Sequence, residues 1–285
     1  MFFIGLLCLL FSVFIGYLAM GGNIHILLKP SEWIMIIGAA IGSYIIANPP
    51  DVTKDMLRFL KNLSKKTPFD KNDYLQILTF MFNFFKFSHS NGLVELENHI
   101  DNTKKSELFI RFPIINKQYD AKIFFCDYFR IIILGFEDSN ELENMMENDI
   151  EGKKHHALTV SQSLIKIGDA LPALGIVAAV LGVITAMSSV GSDPSILGPK
   201  IASALVGTFI GAFTAYGIVN PIGYRLLQFK ENKIKLLECI KNGIIAHING
   251  YPPSIAIEFA RQAIPASYKP SFHEVEQEIE RHVLK

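Results

Sequence analysis

A chain of 285 residues, half of them apolar, with 27 basic against 27 acidic side chains, carries no formal net charge and has a positive mean hydropathy. That balance excludes a disordered segment, which needs low hydropathy and high net charge, and a nucleic-acid binder working through excess positive charge. Cys8, Cys126 and Cys239 are odd in number and widely spaced, so they read as small apolar residues and not as a disulfide framework or metal cluster.

In chain order, Phe2 to Met20 predicts a first membrane helix. No Lys or Arg precedes it and no convincing small-residue cleavage site follows, so it is expected to stay and not to be removed as a signal peptide. Gly21 and Gly22 end it. Trp33 to Ala47 predicts a second span, with Trp33 as an interfacial anchor and the GAAIG run Gly38–Gly42 as a close-packing face, and Asn48-Pro49-Pro50 closes it.

Asp51 to Lys166 predicts a helical cytoplasmic domain. Asp73 to Phe87 is rich in Phe but interrupted by Gln76, Asn83 and Lys86, too short and too polar to span, so it reads as a core helix. Asn91-Gly92 marks a turn, after which Glu95, Glu97, His99 and Asp101 form an acidic exposed face. Ala121 to Phe136 is strongly apolar, yet Asp127 and Arg130 fall three apart on one face and are expected to pair, so it is not a further span. Asn140 to His156 opens with Glu141 and Glu143 and closes with Lys153, Lys154, His155 and His156, the charge order a helix dipole favours. No ligand set at zinc-like spacing surrounds the two histidines, so no metal is expected there.

Two apolar runs follow, Leu171 to Val190 and Ile201 to Val219, each about the 20 residues a helix needs to cross the hydrocarbon core. Ser203, Gly207, Gly211 and Ala215 recur every fourth residue of the second; Gly175 with Ala179, and Ala178 with Gly182 and Ala186, do much the same on the first. Such small-residue stripes let backbones approach closely in lipid, where no hydrophobic drive pairs helices. Thr185, Ser188, Ser189, Thr208 and Thr214 place hydroxyls at membrane depth, and lone helix hydroxyls bond back to their own backbone in the plainest reading. No Asp, Glu, Lys, Arg or His lies inside either run. A proton relay needs a titratable group in the membrane, so if this hairpin lines an ion path the carboxylate must come from another polypeptide.

Pro172 and Pro221 stand at matching ends of the hairpin. Proline suits a helix's first turn, where Asp169 would cap Pro172's helix. Pro221 instead falls inside an expected continuous helix, where it removes a backbone bond. That helix runs on amphipathically through Leu226, Leu227, Phe229, Ile234, Leu236, Leu237 and Ile240 until Gly250. Pro252-Pro253 leads into a short helix, Ser254 to Ile264, and after Pro270 comes a last charged helix with Glu274, Glu276, Glu278 and Glu280. Lys54, Arg58, Lys61, Lys65 and Lys66, then Lys153, Lys154 and Lys166, then Arg225, Lys230, Lys233 and Lys235 flank the spans on one side, against Lys29 and Lys200 on the other. The positive-inside rule places the insert and both termini in the cytoplasm.

The runs GDALPALGIVAAVLGV and VGTFIGAFTAYG, then NGYPPSIAIEFAR followed by KPSFHEVE, resemble the MotA family of flagellar stator proteins, within the MotA/TolQ/ExbB proton-channel superfamily, over nearly the whole chain. The resemblance implies an all-α integral membrane protein of the bacterial inner membrane with four transmembrane helices, divided as 1–50, 51–168, 169–224 and 225–285. It implies a ring of copies, in five-fold form, around a single-span, peptidoglycan-anchored MotB-type partner that supplies the ion-binding Asp, and contact with the rotor protein FliG. Proton flow through the complex then becomes torque, with no cofactor and no nucleic acid involved. By resemblance, Pro172 and Pro221 match the family's coupling prolines, Thr208 the threonine near the ion site, and Tyr216 joins them. Ala179 falls where sodium-driven relatives carry threonine, and a methyl offers no oxygen to replace sodium's hydration, which favours protons. Glu97 and Asp149 match rotor-contact acids, while His89 stands where the family has Arg and is largely neutral near pH 7.

Two other readings stay open. An ExbB or TolQ-type energiser is built with three spans instead of four, and a self-contained channel or transporter would want an ionisable residue or broken helices at the midplane. No phosphate loop, metal cluster or nucleophile constellation points to an enzyme.

Overall fold

The computed structural model describes residues 2–63, 69–136, 138–188, 191 and 194–282, and the described residues are helical with no strand. Lys65, Lys66, Ser189 and Val190, used in the sequence reading, lie outside them. The chain divides into two compact units, Met1–Lys65 with His156–Gln228, and Lys66–His155 with Phe229–Lys285.

The first unit holds the apolar helices. Helix α1, Phe2–Ala19, has no buried residue and exposes Phe3, Leu7, Phe11, Ile15 and Leu18. A helix that satisfies every backbone group internally can present such a surface to lipid, though not to water. The short α2, Ile24–Leu27, is capped by Asn23, whose side chain accepts from the His25 N–H. Helix α3, Pro30–Ala47, starts three residues before the expected span because Pro30 occupies its first turn, where a missing N–H costs nothing. Trp33 donates its indole N–H to the Leu27 carbonyl at 3.1 Å, so the expected interfacial anchor is fastened to its own chain. Helix α4, Pro50–Lys61, is amphipathic and buries Val52, Met56 and Phe59.

The second unit is built on α5, Lys71–Asn91, which opens with a reciprocal capping box: Asp70 accepts from the Asp73 N–H at 2.9 Å and Asp73 from the Asp70 N–H at 3.1 Å. Gly92, at φ 82°, makes the turn into α6, Leu93–Asp101. Short helices α7, Glu107–Ile110, and α8, Pro113–Lys117, lead to α9, Tyr119–Ile133. Phe84 meets Phe125 and Phe129 with ring centroids 4.7 Å away in each case, and Phe80 meets Phe109 and Phe125 at 5.1 Å. This aromatic lattice answers why so Phe-rich a stretch packs as the core of a helical unit. Asp127 and Arg130 pair at 2.8 Å, as their spacing requires.

Helix α10 runs unbroken from Ser139 to Met187, 49 residues, where the sequence suggests two helices with a start near Leu171. Between His156 and Leu171 the only glycine is Gly168 and there is no proline, while Ser161 and Ser163 return their hydroxyls to the Ala157 and Val160 carbonyls, so nothing there ends a helix. Pro172 is therefore an interior proline, not a first-turn one. Helix α11, Pro194–Thr214, passes through a π turn, Ala215–Val219, directly into α12, Asn220–Ile248, as expected for the helix around Pro221. Gly250, at φ 82°, ends it, and α13, Pro253–Gln262, and α14, Phe272–His282, complete the chain. Leu236, Leu237, Ile240 and Ile244 of α12 close the aromatic core of the second unit, with α13 and α14 against α5.

Candidate functional site

The two small-residue stripes meet each other. A Cβ on Gly211 would lie 2.7 Å from the Leu171 carbonyl oxygen and 2.9 Å from the Gly175 Cα, and one on Gly175 would lie 2.7 Å from the Gly207 oxygen. Further along, Gly182 faces Ala204. Helices α10 and α11 thus touch backbone to backbone, which only glycine and alanine permit. Ala179 and Thr208 flank this crossing, Ala179 half-buried and Thr208 exposed. The Thr208 hydroxyl donates to the Leu205 carbonyl at 2.7 Å, Thr185 to Leu181 at 2.9 Å and Ser188 to Thr185 at 2.7 Å. These hydroxyls therefore do return to their own helices. Thr214 differs: its oxygen is buried with no hydrogen-bond partner among the described residues.

Ser203 is turned toward α3. Its hydroxyl lies 3.4 Å from Glu32 Oε1, and Glu32, only 5% exposed, leaves Oε2 buried without a partner among the described residues. The two apolar runs themselves carry no acid, yet this chain sets one against the second of them from the first turn of a neighbouring helix. The signal was present in the sequence: taking Pro30 as the helix start places Glu32 inside the helix and not before it.

At the other end of the hairpin, Asn220 Nδ2 donates to Asp169 Oδ1 at 2.7 Å. Asp169 is therefore not a cap for Pro172; with α10 already helical there, no free N–H remains for it to cap. The bond ties the turn before Pro172 to the residue before Pro221, so the two prolines occupy one level of the helix pair. Tyr216 lies in the π turn and is 64% exposed. In the same unit the Arg225 guanidinium sits 5.2 Å over the Phe2 ring, which brings the start of α1 to this end as well.

The three rotor-contact candidates divide. His89 and Glu97 are both exposed on either side of the Gly92 corner between α5 and α6. Asp149 belongs to α10 and pairs with Lys153 one turn on, whose ammonium also lies 5.6 Å from the Phe124 ring centre. Beside His89 is His247, stacked on Phe85 with ring centres 4.6 Å apart and 3.1 Å from the Ser88 hydroxyl. Burial, and secondarily His89, push the His247 imidazole down to about 4, so it stays neutral near pH 7.

Known families match along most of the chain. The motility protein A N-terminal domain matches residues 3–92, and the MotA/TolQ/ExbB proton channel family matches residues 120–238. Motility protein A of Escherichia coli is 37% identical over 276 residues, covering 97% of this chain and 94% of that one. The chemotaxis protein LafT of Vibrio parahaemolyticus is 32% identical, covering 96% of each. Among solved structures, C. jejuni MotAB superposes with a TM-score of 0.76 at 20% identity over 93% of this chain and 95% of that one. The flagellar MotAB stator complex from Bacillus subtilis gives 0.74 at 21% identity over 93% and 96%.

Proposed function

The chain belongs to the motility protein A family, and from that premise we propose that it is the membrane subunit of a flagellar stator, converting proton flow into torque on the rotor. The observation that carries this reading is the α10–α11 pair: two spans in backbone contact, free of acids, lined with small residues and continuing past interior prolines as uninterrupted helix. Such a wall holds its shape but cannot bind a proton by itself.

A single-span MotB-type partner supplies the membrane Asp, and copies of this chain, five in the proposed ring, surround it. The protein spans the inner membrane four times with both termini in the cytoplasm, an orientation supported by Lys54, Arg58, Lys61, Lys166, Arg225 and Lys230. Residues 1–50 and 169–224 are the membrane hairpins; 51–168 and 225–285 are cytoplasmic. Protonation of the partner's Asp removes a charge that is costly to leave unpaired in the membrane, and α10 and α11 repack against the neutral form. Ala179, Thr208 and Tyr216 border the path, Pro172 and Pro221 pass the change on, and the His89–Glu97 corner with Asp149 pushes the rotor protein FliG. The methyl of Ala179 favours protons over sodium.

The test is complementation of a non-motile strain lacking its own motility protein A, with this chain and a MotB-type partner, under separately varied proton and sodium gradients. Swimming that follows the proton gradient and vanishes when the partner's Asp is replaced is expected. Pro172→Ala should lower swimming far more than it lowers the amount of complex in the membrane. Swimming driven by sodium alone, or appreciable proton flux through the purified chain reconstituted without a companion, would overturn the proposal.

A further inference from the structure

The backbone around Pro221 has two hydrogen-bond ladders available and uses the rarer one. In the π turn the Asn220 N–H bonds back five residues to the Ala215 carbonyl, and not four to Tyr216. The next residue, Pro221, has no N–H to give the Gly217 carbonyl, so the ladder is already weakened at this point. Neither ladder is enforced by the backbone alone, and π turns of this kind occur mostly as single inserted turns, frequently at functional sites.

The Asn220 side chain makes a second contact at this point. It is 6% exposed and reaches across to α10, where its amide donates to Asp169 Oδ1 at 2.7 Å. Gly168 makes room for it: a Cβ there would fall 1.9 Å from Asn220 Oδ1 and 2.8 Å from its Cγ. A glycine with no Cβ, a buried amide filling the gap and an acceptor on the adjacent residue constitute a fitted contact between two helices. Asn220 Oδ1 is buried with no hydrogen-bond partner among the described residues, so the Asp169 bond made by Nδ2 is what holds the amide there.

We propose that Asp169 and Asn220 are positioning residues of the coupling site: their hydrogen bond latches α12 to α10 in the π register and sets where Pro221 stands relative to Pro172. The proposal rests on the stator reading only for its motility readout. Release of the latch lets the 215–221 segment exchange ladders, so movement at the membrane end no longer turns α12 in step.

Four variants test this in the full chain co-produced with a MotB-type partner. Asp169→Ala and Asn220→Ala remove the bond; Gly168→Ala expels the Asn220 side chain without touching either bonding group; Asp169→Asn keeps a carbonyl oxygen where Oδ1 stands. In hydrogen exchange on the purified complex, amides of residues 215–224 should exchange about tenfold faster in the first three and near the wild-type rate in Asp169→Asn, as expected for loss of one hydrogen bond with a charged acceptor. Swimming speed should fall severalfold in the first three while proton conduction stays within about twofold, since a bond of this class holds a geometry and not the ion. The exchanged pair, Asp169→Asn with Asn220→Asp, should swim better than Asn220→Asp alone because the donor and acceptor have only traded helices. Unchanged exchange in Asp169→Ala, or an exchanged pair no better than Asn220→Asp, would overturn the latch. Failure of the wild-type chain to restore swimming would count against the stator reading alone, because the exchange result stands by itself.

Discussion

Gly211→Ala adds one methyl at the point where α10 and α11 touch. The new carbon would sit 2.7 Å from the Leu171 oxygen, about 0.7 Å inside the 3.4 Å at which ordinary contact begins, and both neighbours are backbone and cannot rotate away. Overpacking of this kind costs about 1–3 kcal/mol, and alanine returns about 0.5–1 kcal/mol through its better helix propensity. The net loss centres on about 1 kcal/mol, within a range of about 0–2.5 kcal/mol, which for a chain this size lowers the melting temperature by about 2–4 °C at the centre of that range. Thermal unfolding of the detergent-purified chain by circular dichroism measures it. Gly152→Ala is the control: its Cβ would meet nothing within 4 Å, so that variant should match or slightly exceed the wild type. Gly175→Ala combined with Gly211→Ala should cost less than the two singles added, since both methyls open the same gap. A Gly211→Ala protein as stable as the wild type would refute the claim that the helices meet here by backbone.

Three more outcomes are expected. His247 is held near 4 in the fold against about 6.5 in the unfolded chain, so the unfolded state takes up the proton first; stability is complete above about pH 6.5 and falls as pH drops toward 4, by at most about 3 kcal/mol. Denaturant unfolding at several pH values should show this slope, and His247→Gln should flatten it. Lys241, nearly buried, pairs with Glu147 and lies 3.7 Å from Glu143, both half-exposed. Removing the lysine with Lys241→Met should cost about 1 kcal/mol, whereas Glu143→Gln with Glu147→Gln strands a buried ammonium and should cost about 3 kcal/mol; the opposite order in urea midpoints would contradict the assignment. Phe84→Ala, at the centre of the aromatic lattice, should destabilise by about 3–5 kcal/mol in the same assay.

The four spans were legible because lipid demands about 20 apolar residues in a row and the sequence supplies them. The stripes announced close approach but not which stripe meets which. A four-residue repeat drifts about 40° around a helix at each step, so Gly211 faces α10 while Ser203, two steps earlier, has turned to α3 and Glu32. The continuity of α10 was hidden by Pro172, since a proline beside a possible capping Asp is the ordinary mark of a helix start. Nothing local distinguishes that from an interior proline whose lost bond is tolerated within a long helix. The π turn and the Asn220–Asp169 bond were equally out of reach, because they depend on the pairing of two segments about 50 positions apart. Glu97 was readable as exposed and near a turn from its acidic neighbours and Asn91-Gly92, whereas His89 was singled out only by the family resemblance.

Trp33 is the single tryptophan of the chain, and its indole is fixed to the Leu27 carbonyl in the first turn of α3, next to Glu32. Intrinsic indole fluorescence is therefore a built-in, label-free reporter of one location, while the phenylalanine-rich unit contributes none of that signal. Quenching by lipid-borne or aqueous quenchers measures how deep that turn sits in a bilayer, and a spectral shift on adding a companion protein reports directly on the surroundings of a buried acid that has no dye and needs no mutation to be seen.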